Sequence, residues 1–458
     1  MKKILLIILI PLTHCFNAQC WRSISTGDSF CIAIKDDGTL WTWGYNSLGQ
    51  LGDGTFQDKN TPTQIGNESN WQSIDAGNTF CLAIKTDSTL WAWGSNNYGQ
   101  LGDGTNINSS SPIQIGSNKE WKSISGGWCY SLGIKIDGTL WAWGLNDAGQ
   151  LGIGSTVNAN APLQVGMLSS WKIISAGGGH SLGLKNDSTL WAWGYNGNSQ
   201  LGDGTNVTSH VPINILNPTP NTKWKSISAG YSHSLGIRSD KTLFGWGTNL
   251  SGELCGWSGG SSFFELDNNM VWESISAGKY YCLGIKKDST LWAWGSDNCG
   301  QLGLGSGAGN ISQITQVGID KDWKSTSTGV GLSVGTKYNG TSWGWGCNFF
   351  GDVGDGTNFQ HLAPATTICA PTSIREIFNN FNASIIFPNP NRGSFKIENT
   401  LDDSELILLN SLGEKIHSQY ISKGENEITI KDLPEGIYFY SILENGKSIS
   451  NGKVVLQK

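Results

Sequence analysis

Seven copies of one sequence pattern run from residue 21 to about residue 369, and a chain built this way has few folds open to it. Each copy opens with W-x-S-I-S-x-G or a near variant, at Trp21, Trp71, Trp121, Trp171, Trp224, Trp272 and Trp323, with spacings of 50, 50, 50, 53, 48 and 51. W-x-W-G follows at Trp41/Trp43, Trp91/Trp93, Trp141/Trp143, Trp191/Trp193, Trp292/Trp294 and Trp343/Trp345, with Phe244-Gly245-Trp246-Gly247 in the fifth copy. These positions hold 20 of the 22 tryptophans, so the tryptophan content is architectural. Only Trp128 and Trp257 stand outside the pattern.

Within a copy the apolar residues alternate with a period of two, which is the signature of strands. In the second copy WQSIDA, FCLAIK and STLWAWG read as three strands. A Gly-rich loop follows, and Pro62 to Ile65 shows what the short fourth strand looks like. Between the second and third strands lie Asp37-Gly38, Asp87-Ser88, Asp137-Gly138, Asp187-Ser188, Asp288-Ser289 and Asn339-Gly340. Asp-Gly and Asn-Gly pairs predict two-residue type I′ hairpins. Four antiparallel strands per 50-residue copy describe a propeller blade, which cannot bury its own faces and needs neighbours. Composition agrees: Gly is 62 of 458 and charged residues are 14%, which excludes disorder for the bulk of the chain. A net charge of −6 argues against a nucleic-acid binder, which needs a basic surface.

The loop Gly49-Gln50-Leu51-Gly52-Asp53-Gly54-Thr55 recurs at 99–105 and, with substitutions, at 149–155, 199–205, 300–305 and 351–357. With W-x-W-G ahead of it, this closely resembles the repeat of the regulator of chromosome condensation family. The resemblance covers about three quarters of the chain and implies a seven-bladed β-propeller. The family's G-x-x-H-S-L segment survives at His180 and His233, while Phe30, Phe80, Tyr130, Tyr281 and Leu332 stand in that slot elsewhere. The mixture points to a packing slot for a flat side chain. The best-known members of the family are guanine-nucleotide exchange factors, so that activity is the alternative which the resemblance brings.

The ends of the chain read as addresses. Lys2 and Lys3 precede the apolar run from Ile4 to Leu12, a signal peptide over 1–18 that is too short to span a bilayer. No membrane helix is expected in the mature chain. The propeller is assigned to 19–369 and a linker to 370–383. Short alternating strands without Trp then fill 384–458, which argues for a small, immunoglobulin-like β-sandwich. The landmarks Pro388, Asn389, Pro390, Gly393, Gly436, Tyr438, Gly452 and Lys453 look like those of the type A C-terminal sorting domain of the type IX secretion system. That resemblance implies a partner in the secretion machinery and a final location that is secreted or attached to the outer-membrane surface.

No catalytic constellation emerges, and an enzyme is not expected. Gly256-Trp257-Ser258-Gly259-Gly260 lacks the Asp before Ser and any base to activate it. There is no C-x-x-C or H-x-x-x-H pair for a metal, and no cofactor is expected. Asp53, Asp103, Asp203 and Asp355 read as turn formers rather than calcium ligands. Cys31, Cys81 and Cys282 share one repeat slot and read as small buried hydrophobes. An extracellular glycan-acting enzyme would need two carboxylates facing one pocket, for which Glu253 and Glu265 are the nearest candidates.

Two features invite a binding role for an otherwise non-catalytic interaction protein, with a protein or glycan as partner, and a third bears on closure of the ring. Lys35, Lys85, Lys135, Lys185, Arg238, Lys286 and Lys337 end the second strand of every copy; they are solvated strand ends or a cationic rim for an acidic partner. Residues 250–266 depart most from the repeat, and Trp257, Phe263 and Phe264 there form either a contact hot spot or local packing of a degenerate blade. Cys20 and Cys369 bracket the propeller at the place where no peptide joins its ends; they are unrelated cysteines or a disulfide that closes the ring.

Overall fold

The computed structural model describes residues 21–167, 169–216, 222–256, 260–267, 271–307, 309–367, 386–387, 393–399, 404–410, 415–430, 433–444 and 447–457. Two compact units separate at Cys369/Ala370.

The first unit is a ring of seven four-stranded antiparallel sheets, one per sequence copy. Blade 1 sets the pattern: Trp21–Thr26, Phe30–Lys35, Leu40–Gly44 and Lys59–Ile65, paired in chain order. Every sheet keeps its four strands from one contiguous copy, so no strand is exchanged between blades. The second strand is buried along its whole length in all seven blades, because both of its faces meet a neighbouring blade.

The hairpin between the second and third strands differs from the type I′ expectation. Gly38 N donates to Lys35 O (2.9 Å) and Lys35 N to Thr39 O (3.1 Å), so the loop is three residues long. Only its last residue has positive φ: Gly38, Ser88, Gly138, Ser188, Lys241, Ser289 and Gly340. This is a type I turn closed by a left-handed residue. The preceding acidic residue has another task. Asp37 Oδ1 accepts from Thr39 N (2.9 Å) and Oγ1 (2.6 Å), and Thr39 Oγ1 in turn accepts from Trp41 Nε1 (2.8 Å). The D-x-T-L-W string is therefore one hydrogen-bonded relay that fixes an indole.

Blades are clasped to one another by repeated contacts. The second Trp of W-x-W-G donates its indole N–H to a carbonyl in the preceding blade's Gly-rich loop: Trp93 to Gln50 (3.1 Å), Trp143 to Gln100 (2.9 Å), Trp193 to Gln150 (2.9 Å). Gly52 must lie flat beside that indole; its φ is +73°, and a Cβ there would stand 2.6 Å from Trp93 Nε1. Nearer the axis, Ser25 Oγ accepts from Ala76 N (3.0 Å), and Ser125, Ser175 and Ser228 accept in the same way from Ala176, Ala229 and Ala277.

The seam between blades 7 and 1 uses this same set. Trp43 Nε1 donates to Asp352 O (3.0 Å), Thr26 N donates to Ser327 Oγ (3.1 Å), and Trp21, Trp43, Leu332, Val334 and Val353 share one buried cluster. Cys20 and Cys369, the pair considered for closure, lie outside the described residues. A disulfide does bridge adjacent blades elsewhere: Cys299 of blade 6 to Cys347 of blade 7, with Cα atoms 5.1 Å apart. Tyr45 and Phe350 occupy the corresponding two positions at the seam, with ring centroids 4.6 Å apart.

Among the described residues, the second unit is a β-sandwich of seven strands. Ile386–Phe387, Ser394–Asn399 and Gly424–Thr429 form one sheet. Lys415–Ile421, Ser404–Leu409, Gly436–Glu444 and Lys447–Leu456 form the other. Phe395, Ile397 and Ile428 of the first pack with Leu406, Leu408, Ile442 and Val454 of the second. Gly393 has φ +98°, and its carbonyl accepts from Ile430 N (2.7 Å). Tyr438 is buried and donates its hydroxyl to Pro434 O (2.9 Å). Gly436, Gly452 and Lys453 sit in the paired last two strands, where Lys453 faces Phe439. Pro388, Asn389 and Pro390 lie outside the described residues, as does the signal peptide.

Candidate functional site

The seven cations that end the second strands do recur on one circle, but they do not form an accessible rim. Lys35, Lys85, Lys135, Lys185, Arg238, Lys286 and Lys337 are each between 1% and 8% exposed. Each charge lies over the rings of its own blade. Lys35 Nζ is 3.6 Å from the Trp41 centroid, Lys135 Nζ 3.4 Å from Trp141, and Arg238 Cζ 3.8 Å from Phe244. The first-strand indole closes the other side, at 5.3 Å for both Lys35–Trp21 and Lys135–Trp121. The alkyl stem packs on the indoles while the ammonium meets their negative faces. Carboxylates cap several from outside: Glu68 on Lys85 (2.6 Å), Glu120 on Lys135 (2.5 Å) and Asp320 on Lys337 (2.6 Å). Burial pulls the Lys185 and Lys286 ammonium groups down from the usual lysine range. At Lys337 burial pulls the same way, but its bonds to Asp320 and Asp322 outweigh it and raise the group. The seven cations belong to the scaffold.

Blade 5 is also more regular than its sequence. Glu253 occupies the place that Gln50 holds in blade 1, and its carbonyl accepts from Trp294 Nε1 (2.8 Å). Cys255 takes the Gly52 place with φ +57°. Gly260–Asp267 is then the fourth strand. Phe263 is no exposed hot spot: its ring lies 4.7 Å from Trp246 and 5.3 Å from Trp224, inside the blade. Phe264 is 37% exposed, and Trp257 lies outside the described residues. Glu253 is fully buried in its loop and burial raises its carboxyl, whereas Glu265 sits in the fourth strand opposite Phe244.

The slot of His180 and His233 is a packing slot. His180 Nε2 lies 2.8 Å from Ser234 Oγ, His233 Nε2 3.2 Å from Cys282 Sγ, and Ser181 Oγ donates to Tyr130 Oη (3.0 Å). All are buried, and burial lowers His180 to about 3 and His233 to about 4, so both imidazoles are neutral. The loop aspartates act as turn formers, since Asp53 Oδ1 accepts from Thr55 N (2.9 Å) and Oγ1 (2.7 Å).

A different ring gathers side chains that are free to act. The first strand of each blade ends in x-G, and the seven glycines crowd the axis, where a Cβ on Gly27 would stand 2.7 Å from Gly77 O. The next residue in each blade is Asp28, Asn78, Trp128, Gly178, Tyr231, Lys279 and Val330. These residues, the glycines and the residues before them line one open axial cavity of about 100 Å³. Backbone bonds run round it, from Asp28 N to Asn78 O (2.8 Å), Asn78 N to Gly127 O (3.1 Å), Trp128 N to Gly177 O (3.2 Å), Gly178 N to Gly230 O (3.2 Å) and Lys279 N to Gly329 O (3.2 Å). The backbone is thus nearly symmetric while the seven residues are all different, Gly178 bringing no side chain at all.

On one side of this mouth the rings cluster. Trp128 and Tyr231 meet edge to face at 4.9 Å, and Tyr231 and Tyr280 lie 5.9 Å apart. Lys279 Nζ stands among them, 4.9 Å from Trp128, 5.5 Å from Tyr231 and 5.3 Å from Tyr280. Burial raises the Asp28 carboxyl, and the Lys279 charge offsets part of that. None of these residues was singled out for binding from sequence. The available signal was Trp128, one of the two tryptophans outside the repeat.

Comparison with known proteins follows the architecture. An RCC1-like domain profile matches residues 9–215, and the regulator of chromosome condensation (RCC1) repeat matches 224–253 and 272–301. A secretion system C-terminal sorting domain profile matches 385–457. No curated protein matches the chain in sequence. Among solved structures, human WBSCR16 is similar at 18% identity and a TM-score of 0.66, over 72% of this chain and 93% of that one. Yeast RCC1 (Prp20), bound to Kap60, is similar at 20% identity and 0.65, over 81% and 90%. Prp20p from Saccharomyces cerevisiae is similar again at 21% and 0.64, over 78% and 89%. At such identities the likeness is one of fold. No helix among the described residues is long and apolar enough to cross a membrane. The chain is a seven-bladed propeller of RCC1-type repeats that carries a secretion system C-terminal sorting domain, the element that directs type IX export to the cell surface or beyond.

Proposed function

We propose that this is an exported, non-catalytic interaction protein that holds its partner at the axial mouth, either released from the cell or kept on its outer surface. The observation that carries the reading is the contrast within the ring. Seven equivalent backbone positions converge on one cavity, and no two hold the same residue: six present different side chains and Gly178 presents none. Repetition supplies a rigid frame, and departures from it are where recognition is added. Trp128, Tyr231 and Tyr280 offer rigid aromatic area at little entropy cost, and Lys279 and Asp28 add charges of both signs. A non-catalytic role is supported by where the reactive groups sit: Cys282 and His233 are fully buried between blades, and so is Glu253. Prp20p has binding properties toward Gsp1p and histones. An exported chain meets neither a cytosolic GTPase nor chromatin, which speaks against nucleotide exchange.

The test is capture by the mature protein from the producing cell's surface and medium, with photo-crosslinking at the mouth. Trp128→Ala and Tyr231→Ala are expected to lose the captured partner, and Phe263→Ala to keep it. Equal capture by the wild-type protein and both mouth variants would remove the axial mouth from consideration.

A further inference from the structure

We propose that a groove between blades 2 and 3 is a binding site for a neutral oligosaccharide, independent of the axial mouth. The groove has a volume of about 420 Å³ and is lined by Tyr98 and Asn106 of blade 2 and by Asn158, Ala159, Asn160, Ala161 and Leu163 of blade 3. That volume lies within the range of about 300–1,000 Å³ usual for small-ligand sites. The lining holds no side chain that is charged at neutral pH, so an ionic ligand would find no opposite charge there. It holds one exposed aromatic ring, Tyr98 at 41%, three exposed carboxamides and an exposed Leu163.

The carboxamides are anchored at one end. Asn106 Nδ2 donates to Asn97 O (3.0 Å), and Asn160 Nδ2 donates to Gly104 O (2.8 Å). Asn158 Oδ1 accepts from Asn146 N (2.9 Å). Because each partner is a carbonyl or an N–H, these bonds dictate which end of each amide is oxygen. They leave two carbonyl oxygens and one NH₂ group for a ligand, held in place before it arrives. A sugar ring presents hydroxyls that donate and accept together with a C–H face that stacks on an aromatic ring, which matches this set. Fixed polar groups lose little freedom on binding, which favours affinity.

The repeat supplies its own controls. At the junction of blades 3 and 4 the positions of Tyr98, Asn106, Asn158 and Asn160 are held by Ala148, Thr156, Thr208 and His210. At the junction of blades 1 and 2 they are Leu48, Phe56, Asn108 and Ser110. The same backbone is therefore built without the constellation, so the set at blades 2 and 3 is not a requirement of the fold. Tyr98→Ala, Asn106→Thr and Asn158→Thr each install a residue that the chain already uses at the equivalent place, and folding is preserved.

The experiment is calorimetric and NMR titration of the mature protein with neutral hexasaccharides of glucose, mannose and galactose. Binding of at least one, with Kd below about 1 mM, is expected. Tyr98→Ala should weaken it by about tenfold, the loss of one stacked ring. Asn158→Thr should weaken it by about threefold or more, and Trp128→Ala should leave it unchanged. The proposal is overturned if no hexasaccharide binds at that limit, or if Tyr98→Ala and Asn158→Thr bind as the wild type does. It is also overturned if Trp128→Ala alone abolishes binding, which would put the sugar in the axial mouth. Undiminished partner capture by Trp128→Ala and Tyr231→Ala with sugar binding intact would sink only the mouth.

Discussion

Two rings of this propeller set cations against aromatic side chains, and they differ in every other respect. The ring at the ends of the second strands repeats one solution seven times: a cation buried to 8% exposure or less, laid over an aromatic ring of the third strand and beside the first-strand indole. The axial ring has seven different residues, and its one lysine, Lys279, stands in an open mouth about 5 Å from three rings. The buried ring helps hold each blade together. At the axial ring, backbone bonds already link neighbouring blades whatever the side chain. At the ends of the second strands recurrence thus marks the scaffold, whereas at the axial mouth the recurrence breaks.

That contrast is breakable, and the largest effect is expected where a scaffold position itself departs from the repeat. Asp352 stands in the place of Gln50 and Gln100, at the seam. Burial, with Asp28 and Asp58 adding like charge, pushes its carboxyl up to about 8 from an ordinary 3.8. The folded chain keeps this proton across an interval in which the unfolded chain has lost it, so stability falls as pH rises from about 4 to about 8. Asp352→Asn removes the dependence. Denaturant titrations should find the two proteins alike near pH 4 and the variant more stable at pH 8, by on the order of 5 kcal/mol. A constant difference across that range would mean that the seam tolerates the charge.

Lys135→Ala comes next. It deletes a stem packed between Trp121 and Trp141 and removes a cation 3.4 Å from a ring. A loss of about 3 kcal/mol is expected, with Lys135→Met recovering most of it if packing outweighs charge. Partner capture should survive both changes. The smallest effect on stability belongs to Lys279→Met, within about 1 kcal/mol of wild type in the same titration. Its affinity for the captured partner should nonetheless fall by about tenfold. A large stability loss at Lys279, or a loss of capture at Lys135, would erase the distinction between the two rings.

Much of the fold was legible because the repeat compares the chain with itself. Strand count, blade count and the structural role of Trp21 or Trp43 follow from recurrence at 50-residue spacing. The hairpin type was misread because Asp37-Gly38 favours a two-residue turn locally, whereas the relay through Thr39 to Trp41 requires three residues. The cations were misplaced for a related reason. A lysine at a strand end reads as solvated, and only neighbouring strands reveal that two aromatic rings cover it. In blade 5, Phe263 stands beyond an irregular stretch, and its burial depends on the fourth strand finding its register.

The sequence by itself determined the scaffold: seven blades of four strands, the glycines at close approaches, and a separate β-sandwich with export landmarks. Those features rest on local hydrogen bonding and on alternation, which residues close in the chain can specify. Only the tertiary structure decided that Asp28, Trp128, Tyr231 and Lys279 share one mouth, that Tyr98 meets Asn158 across a groove, and that Cys299 joins Cys347. The groove and the disulfide need two neighbouring blades to stack, whereas the mouth brings together residues up to 251 positions apart because the ring closes, and closure is a property of all seven blades at once.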